Sequence, residues 1–354
     1  MAVIRKKTGN FLEDFRVGQV FRHRRGKTVN EGLFNAFTEF TMTTNPLAKN
    51  ARYAQAYGYR GLVVPPGLVM NVAFSQTVED VSENARANLE YIDMRFGAAV
   101  YVGDTIEVET TVVGVKPSTK DPDRGVVHVQ STARNQHGQV VITFQRKVQV
   151  WKSDLSATVE DATLGELPTV DCRLELPIHD ESRDYRKLAH LTASDGYFED
   201  LTPGDVIEHS RGRVVTTDHI MLTGILDNTS QVHCNQWMVD QDPERFVGGK
   251  LIVFGGIPFQ LCLGISSADL GDNALGDVRY ATGRHTAPIF AGDTVFASSE
   301  ITGTGDYPER PDLGILGAIL RGHKFVTKDG KAEKVEIFYL EREIALKRRS
   351  HYLR

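Results

Sequence analysis

The chain repeats itself, and that repeat limits its fold more than any other feature. Phe11-Leu12-Glu13-Asp14-Phe15-Arg16-Val17-Gly18 returns as Tyr197-Phe198-Glu199-Asp200-Leu201-Thr202-Pro203-Gly204, offset by 186 residues. At the same offset Gly26-Lys27 meets Gly212-Arg213. Val100 to Thr105 meets Ile289 to Thr294, and Gly125-Val126-Val127 meets Gly314-Ile315-Leu316, both offset by 189. Matches in the same order, drifting as loop insertions would make them drift, identify a tandem duplication of a unit of roughly 150 residues. The predicted organisation is unit one over 1–152, a linker over 153–195 and unit two over 196–354.

Each unit reads as one helical region followed by several strands. Ile106, Val108, Thr110 and Val112 alternate with Glu107, Glu109 and Thr111, the period of a half-buried strand. Val127 to Arg134 alternates likewise, and a third strand covers Ile142 to Val150 after the turn Asn135-Gln136-His137-Gly138. Unit two repeats this near Leu316–Val326 and Val335–Leu346, around the turn Lys328-Asp329-Gly330. Ahead of these strands, Gly67 to Val78 and Gly256 to Ser267 are apolar nearly all round, the mark of a buried helix. An α+β fold with a curved antiparallel sheet wrapped on each helix follows. The linker, rich in proline and acids, is predicted to hold one short helix near Glu181–Leu191.

Composition removes several classes of function. With 41 basic and 46 acidic residues the formal charge is -5, which gives nucleic acid or an anionic membrane nothing to grip. No apolar run approaches the roughly 20 residues of a membrane span, and Met1 to Asn10 is basic without a signal-peptide core. Cys172, Cys234 and Cys262 suggest neither a disulfide framework nor a zinc site, so a cytoplasmic protein is expected.

The chemistry concentrates in Asp227-Asn228-Thr229-Ser230-Gln231-Val232-His233. His233 is the candidate proton carrier. Asp227 and Asn228 compete to orient or activate a water, and capping of a helix end is the structural alternative for both. Only Asp227 can accept a proton. Ser230 and Gln231 are candidate substrate contacts. Gly255-Gly256 with Pro258 reads as a helix start whose N–H groups can hold a developing oxyanion. Arg279, Arg284 and His285 are candidates for a phosphate or carboxylate, with a solvated strand edge as the alternative. No spacing of His, Cys or Asp suggests a metal, and no Walker loop or dinucleotide fingerprint occurs.

These residues resemble the MaoC-like, double-hotdog hydratases. The family motif, roughly Gly-Asp-x-Asn-Pro-hydrophobic-His, fits Asn228 to His233, with Asn228 in the aspartate slot and Asp227 one residue early. Unit one keeps Asn45-Pro46 but carries Thr43 and Ala48 where the aspartate and histidine would stand. Asn-Thr-Ser-Gln-Val-His, with Arg95-Phe96-Gly97-Ala98, Tyr101 and Gly103-Asp104-Thr105, resembles the mesaconyl-CoA hydratase group within that family. The resemblance implies a double-hotdog hydro-lyase with one active copy, unit two. It implies reversible hydration of a CoA thioester, mesaconyl-CoA (2-methylfumaryl-CoA), to (2R,3S)-β-methylmalyl-CoA. It implies Gly256 as the oxyanion glycine, no cofactor beyond the CoA of the substrate, and possible homo-oligomers. The layout would equally suit an (R)-specific enoyl-CoA hydratase for ordinary acyl chains, or a non-catalytic acyl-CoA-binding protein.

Overall fold

The computed structural model describes residues 8–243 and 246–353; the basic stretch 1–7, part of the segment from Met1 to Asn10 considered above, lies outside them. The alternating segments form strands that hydrogen-bond into one antiparallel sheet. The first half supplies β1 (Val20–Arg22), β2 (Ala85–Phe96), β3 (Thr105–Pro117), β4 (Arg124–Asn135) and β5 (Val140–Trp151). The second supplies β6 (Val206–Val214), β7 (Ala274–His285), β8 (Thr294–Asp306), β9 (Leu313–Lys328) and β10 (Lys331–Lys347). Their order is β1-β3-β4-β5-β2-β7-β10-β9-β8-β6, with the two-residue strands Lys27–Thr28 and Ala162–Thr163 added on β3. That order is symmetric about the central β2–β7 pair. There Tyr91 faces Gly283 and Met94 faces Tyr280, the register a twofold relation with an offset of 189 requires.

The helices are α1 (Glu31–Phe40), α2 (Pro66–Gln76), α3 (Asp218–Ile225) and α4 (Gly256–Ser266), besides shorter turns. Asn30 caps α1 by accepting from the Leu33 N–H at 2.9 Å. Every residue of α4 is buried, as are Gly67 to Ser75 of α2. An all-round apolar helix has no solvent face to keep, so each lies under its half of the sheet and against the other helix. Two glycines permit that approach. A Cβ at Gly256 would stand 1.8 Å from Asn71 Oδ1, and one at Gly67 1.5 Å from Gln260 Oε1. Asn71 and Gln260 are themselves equivalent at the 189 offset, so each helix seats its amide on the other's glycine.

Alternation alone misses β2 and β7. Both carry β-bulges, with shifts at Ala85/Ala87, Asn88/Glu90 and Ile92/Arg95 in one and at Glu341/Arg342, Glu343/Ile344 and Ala345/Leu346 opposite the other. Each bulge resets the period of two. The segment between the halves is a strap. Gln130 donates to the Pro168 carbonyl at 2.7 Å, Cys172 to that of Arg95 at 3.3 Å, and Arg310 to that of Pro177 at 2.9 Å. The short helix predicted near Glu181–Leu191 is a 3₁₀ segment, Tyr185–Leu191.

Candidate functional site

After α3 the chain reverses through Asp227, whose φ of 61° is a left-handed conformation that aspartate tolerates. The Asn228 N–H returns to the Thr223 carbonyl at 3.1 Å. One 3₁₀ turn, Gln231–His233, then carries the histidine out over the head of α4. His233 Nδ1 lies 2.9 Å from the Ile252 carbonyl. A carbonyl only accepts, so Nδ1 holds the hydrogen and Nε2 of the neutral ring is the acceptor. Burial pulls the His233 pKa down to about 4, against the opposing pull of the Ile252 hydrogen bond, with His219 lowering it further. The imidazole is therefore neutral at physiological pH.

His233 lines a cavity of about 320 Å³ walled by both halves of the chain. Asn228 and Ser230 line it too, and both are buried. Asn228 Oδ1 accepts from the Ser230 N–H at 3.0 Å, which fixes the amide's orientation and leaves Nδ2 buried with no partner. An unpartnered buried donor and an unprotonated imidazole nitrogen lining one cavity make a site for a water or hydroxyl. Gly255, at the start of α4, is in the wall, and a Cβ there would meet His285 Nε2 at 2.6 Å. In the first turn of this helix the Ile257 N–H donates to the Phe254 carbonyl at 2.9 Å and Pro258 has no N–H, so the Gly256 N–H is the group that can serve an oxyanion at the positive end.

Other residues singled out from sequence sit elsewhere. Asp227 lies outside the cavity lining; its half-exposed carboxylate pairs with Lys27 at 2.7 Å. The structure thereby separates two neighbours that sequence left in competition, because the left-handed turn sends Asn228 inward. Gly256 is packed behind Gly255, its carbonyl accepting from Asn71 Nδ2 at 3.1 Å. Gln231 is exposed and spends its amide on the Thr229 carbonyl and Asn235. Arg284 lies over the Tyr339 ring at 4.1 Å, on the opposite face of β7 from the cavity. In unit one, Asn45 caps the Pro46–Lys49 helix and donates to the Gly271 carbonyl at 2.7 Å, while Ala48 is buried in the core. That copy of the motif serves as a joint between the halves. Cys234 is exposed, whereas Cys172 and Cys262 are buried.

Sequence reasoning missed three cavity residues, Tyr91, Arg146 and Asn88, and named a fourth, His285, only as a partner for phosphate or carboxylate. His285 follows Arg284 on a strand, so the alternation that puts one outside puts the other inside. Its Nε2 is 3.2 Å from the Tyr91 hydroxyl, and burial takes its pKa down to about 4. Among the described residues no aspartate or glutamate lines this cavity, and no group of three or more His, Cys, Asp or Glu is placed to hold a metal. No helix among them is long and apolar enough to cross a membrane.

Comparison with known proteins agrees with this architecture. The chain is 35% identical over 328 residues to a β-methylmalyl-CoA dehydratase of Chloroflexus aurantiacus, covering 91% of this chain and 89% of that one. It is 31% identical over 340 residues to a mesaconyl-CoA hydratase of Cereibacter sphaeroides, covering 93% and 95%. Among solved structures, a putative MaoC domain protein dehydratase from Chloroflexus aurantiacus superposes with a TM-score of 0.85 at 30% identity, covering 98% of this chain and all of that one. A Mycobacterium tuberculosis protein described as a double hotdog superposes with a TM-score of 0.77 at 22% identity, covering 96% and 98%, and shares the fold. The duplicated sheet is thus a double hotdog, and with a family model matching residues 2–318 the chain belongs to the mesaconyl-CoA hydratase family.

Proposed function

We propose that this chain is a hydro-lyase that reversibly hydrates mesaconyl-CoA to β-methylmalyl-CoA in the cavity beneath His233. The observation that carries the reading is that an acceptor nitrogen on His233 and an unpartnered donor on Asn228 line the same cavity as the start of a buried helix. The family assignment and the names of the two relatives support the substrate.

The thioester carbonyl lies at the Gly255–Gly256 turn, where the Gly256 N–H at the helix start draws electron density from the conjugated system. Water held by Asn228 Nδ2 gives a proton to His233 Nε2 as its oxygen bonds to the β-carbon. The π electrons move onto the thioester oxygen as an enolate. Its collapse takes the proton back from the imidazolium to the α-carbon, so the elements of water add without redox change. An oxyanion donor of this kind is worth roughly 3 kcal/mol, and general acid–base help about 10²–10⁴-fold. The low basicity of His233 suits the second step, because a buried imidazolium with no carboxylate beside it is a ready proton donor. The CoA portion leaves through the mouth, where Arg86 and Trp151 border an adjoining groove that also holds Arg124. Nothing in the chemistry calls for a redox cofactor.

The test is ultraviolet absorbance of mesaconyl-CoA with the purified protein. Loss of the conjugated enoyl-thioester band, absent in His233→Ala, is the expected result. Loss with crotonyl-CoA alone would replace the substrate and keep the reaction. Silence with both esters, alongside tight binding, would overturn hydration in favour of an acyl-CoA-binding role.

A further inference from the structure

The repeat exposes a difference between the halves that the hydration chemistry does not use. In unit two, Arg342 and Asp277 form a buried ion pair. Arg342 Nη2 and Nε donate to Asp277 Oδ1 at 2.6 and 3.1 Å, and the Tyr280 hydroxyl donates to Oδ2 at 2.8 Å. Unit one holds the same places in the same register. Tyr91 faces Arg146 and Asn88 faces Val148 across β2 and β5, as Tyr280 faces Arg342 and Asp277 faces Ile344 across β7 and β10. Thr77 also stands to Arg146 as Ser266 stands to Arg342, each hydroxyl accepting from the guanidinium, at 2.7 and 3.3 Å. Only the acid differs: Asn88 replaces it.

The consequence is an arginine with no counter-charge. Arg146 has no solvent exposure, and among the described residues it makes no ion pair. It donates to Thr77 and Ser82, lies over the Phe74 ring at 4.3 Å, and has no partner at Nε. Both side-chain polar atoms of Asn88 are buried without partners as well. A lone buried cation is costly, and burial takes its pKa down to about 10. Both residues line the His233 cavity, which contains arginines and no carboxylate. The missing anion belongs to whatever fills that space.

We propose that Arg146, with Asn88, is the receptor for a carboxylate on the acyl part of the substrate, taking from the ligand the anion that Asp277 supplies to Arg342. The identity of that ligand rests on the hydratase reading: mesaconyl-CoA carries its free carboxylate on the carbon that receives water. A guanidinium there fixes which alkene carbon faces His233, and an ester ending in a methyl group leaves the charge unpaired. Arg146 and Asn88 are thus specificity residues, while His233 does the proton transfer.

The test compares binding of mesaconyl-CoA with that of (E)-2-methylbut-2-enoyl-CoA, which has a methyl in place of the carboxylate, by calorimetry in the His233→Ala protein. The carboxylate ester is expected to bind on the order of 100-fold tighter, the effect of a buried charge pair. Asn88→Asp rebuilds the internal pair of unit two, so it should fold with an undiminished Tm. It should erase that preference while leaving the methyl ester within about threefold. Arg146→Met, which removes the lone charge, should erase it too. Persistence of the preference in either folded variant, or its absence in the parent, overturns the receptor. Turnover by the wild-type protein is read separately, so a protein that prefers the carboxylate ester but never hydrates it would keep the receptor and overturn the reaction.

Discussion

His233 and Ile252 are joined by a 2.9 Å hydrogen bond that leaves Nε2 as the acceptor nitrogen of the imidazole. The carbonyl has no proton to give, so only Nε2 can act as base. His233→Ala should therefore lower kcat by at least 10²-fold with little change in Tm, since the ring stands at a cavity wall rather than in the core. Stopped-flow absorbance and thermal melts check both. Retention of more than a tenth of the activity would remove His233 from the chemistry.

The same burial sets the pH profile. With its pKa lowered to about 4, His233 stays neutral well below the pH at which an ordinary histidine protonates. kcat/KM should stay level as pH falls from 8 to about 5.5, with no acid limb near 6.5. For stability the sign is the same: between about 4 and 6.5 the unfolded chain binds a proton that the folded one does not, so folding weakens as pH drops through that window. An activity limb centred near 6.5 would show that His233 is not held neutral.

Asn228 and Asp227, adjacent in sequence, should respond in opposite ways. Asn228→Ala removes the unpartnered donor in the cavity and should cost roughly 10²-fold in kcat/KM. Asn228→Asp replaces that donor by an acceptor in a buried place and should be no better. Asp227→Asn keeps a residue that tolerates the left-handed turn and loses only a half-exposed ion pair to Lys27, so its kcat/KM should stay within about threefold. Steady-state kinetics of the three variants decide it, and a large loss in Asp227→Asn with Asn228→Ala unharmed would reverse the roles.

Gly255 is expected to accept no side chain. A Cβ would stand 2.6 Å from His285 Nε2, and the buried ring has Phe338, Tyr91 and the helix around it. Gly255→Ala should shift His285, displace the carbonyl of the substrate from the helix start and reduce kcat by more than tenfold, with a Tm lowered in keeping with the roughly 1–3 kcal/mol that overpacking costs. Kinetics paired with calorimetry separate this from misfolding.

Much of this was legible from sequence because duplication prints the fold twice. The outer strands followed from alternation at Ile106 to Val112 and Val127 to Arg134, and the buried helices from segments with no polar face. His233, Asn228 and the Gly255 turn were found because they crowd one short stretch between apolar runs. Asn88 and Tyr91 were not, because bulges hide the period of their strand, and Arg146 was not, although it lies in phase with Phe144, Val148 and Val150 on a predicted strand. A signal was present: at the 189 offset Asn88 aligns with Asp277, a lost charge that only becomes meaningful once the arginine across the sheet is known.

A second buried cation gives a test of stability remote from the cavity. Lys347 is 1% exposed, with Nζ donating to the Tyr53 and Tyr57 hydroxyls at 2.8 and 3.3 Å. Burial takes its pKa down to about 7 from the ordinary 10.5, with Asp272 opposing. Between those two values the unfolded chain holds a proton that the folded one has lost, so this group makes folding more favourable as pH rises from 7 toward 10.5. Below 7 both states are charged and the full desolvation cost stands. Lys347→Met keeps the volume and removes that cost, at the expense of two hydrogen bonds to tyrosines that surround it. The variant should be more stable at pH 7 by roughly 1–3 kcal/mol, with the advantage shrinking steadily as pH approaches 10. Melts of both proteins across that range would show a converging pair of curves; a gap independent of pH would mean that the amine is not buried as a cation at neutral pH.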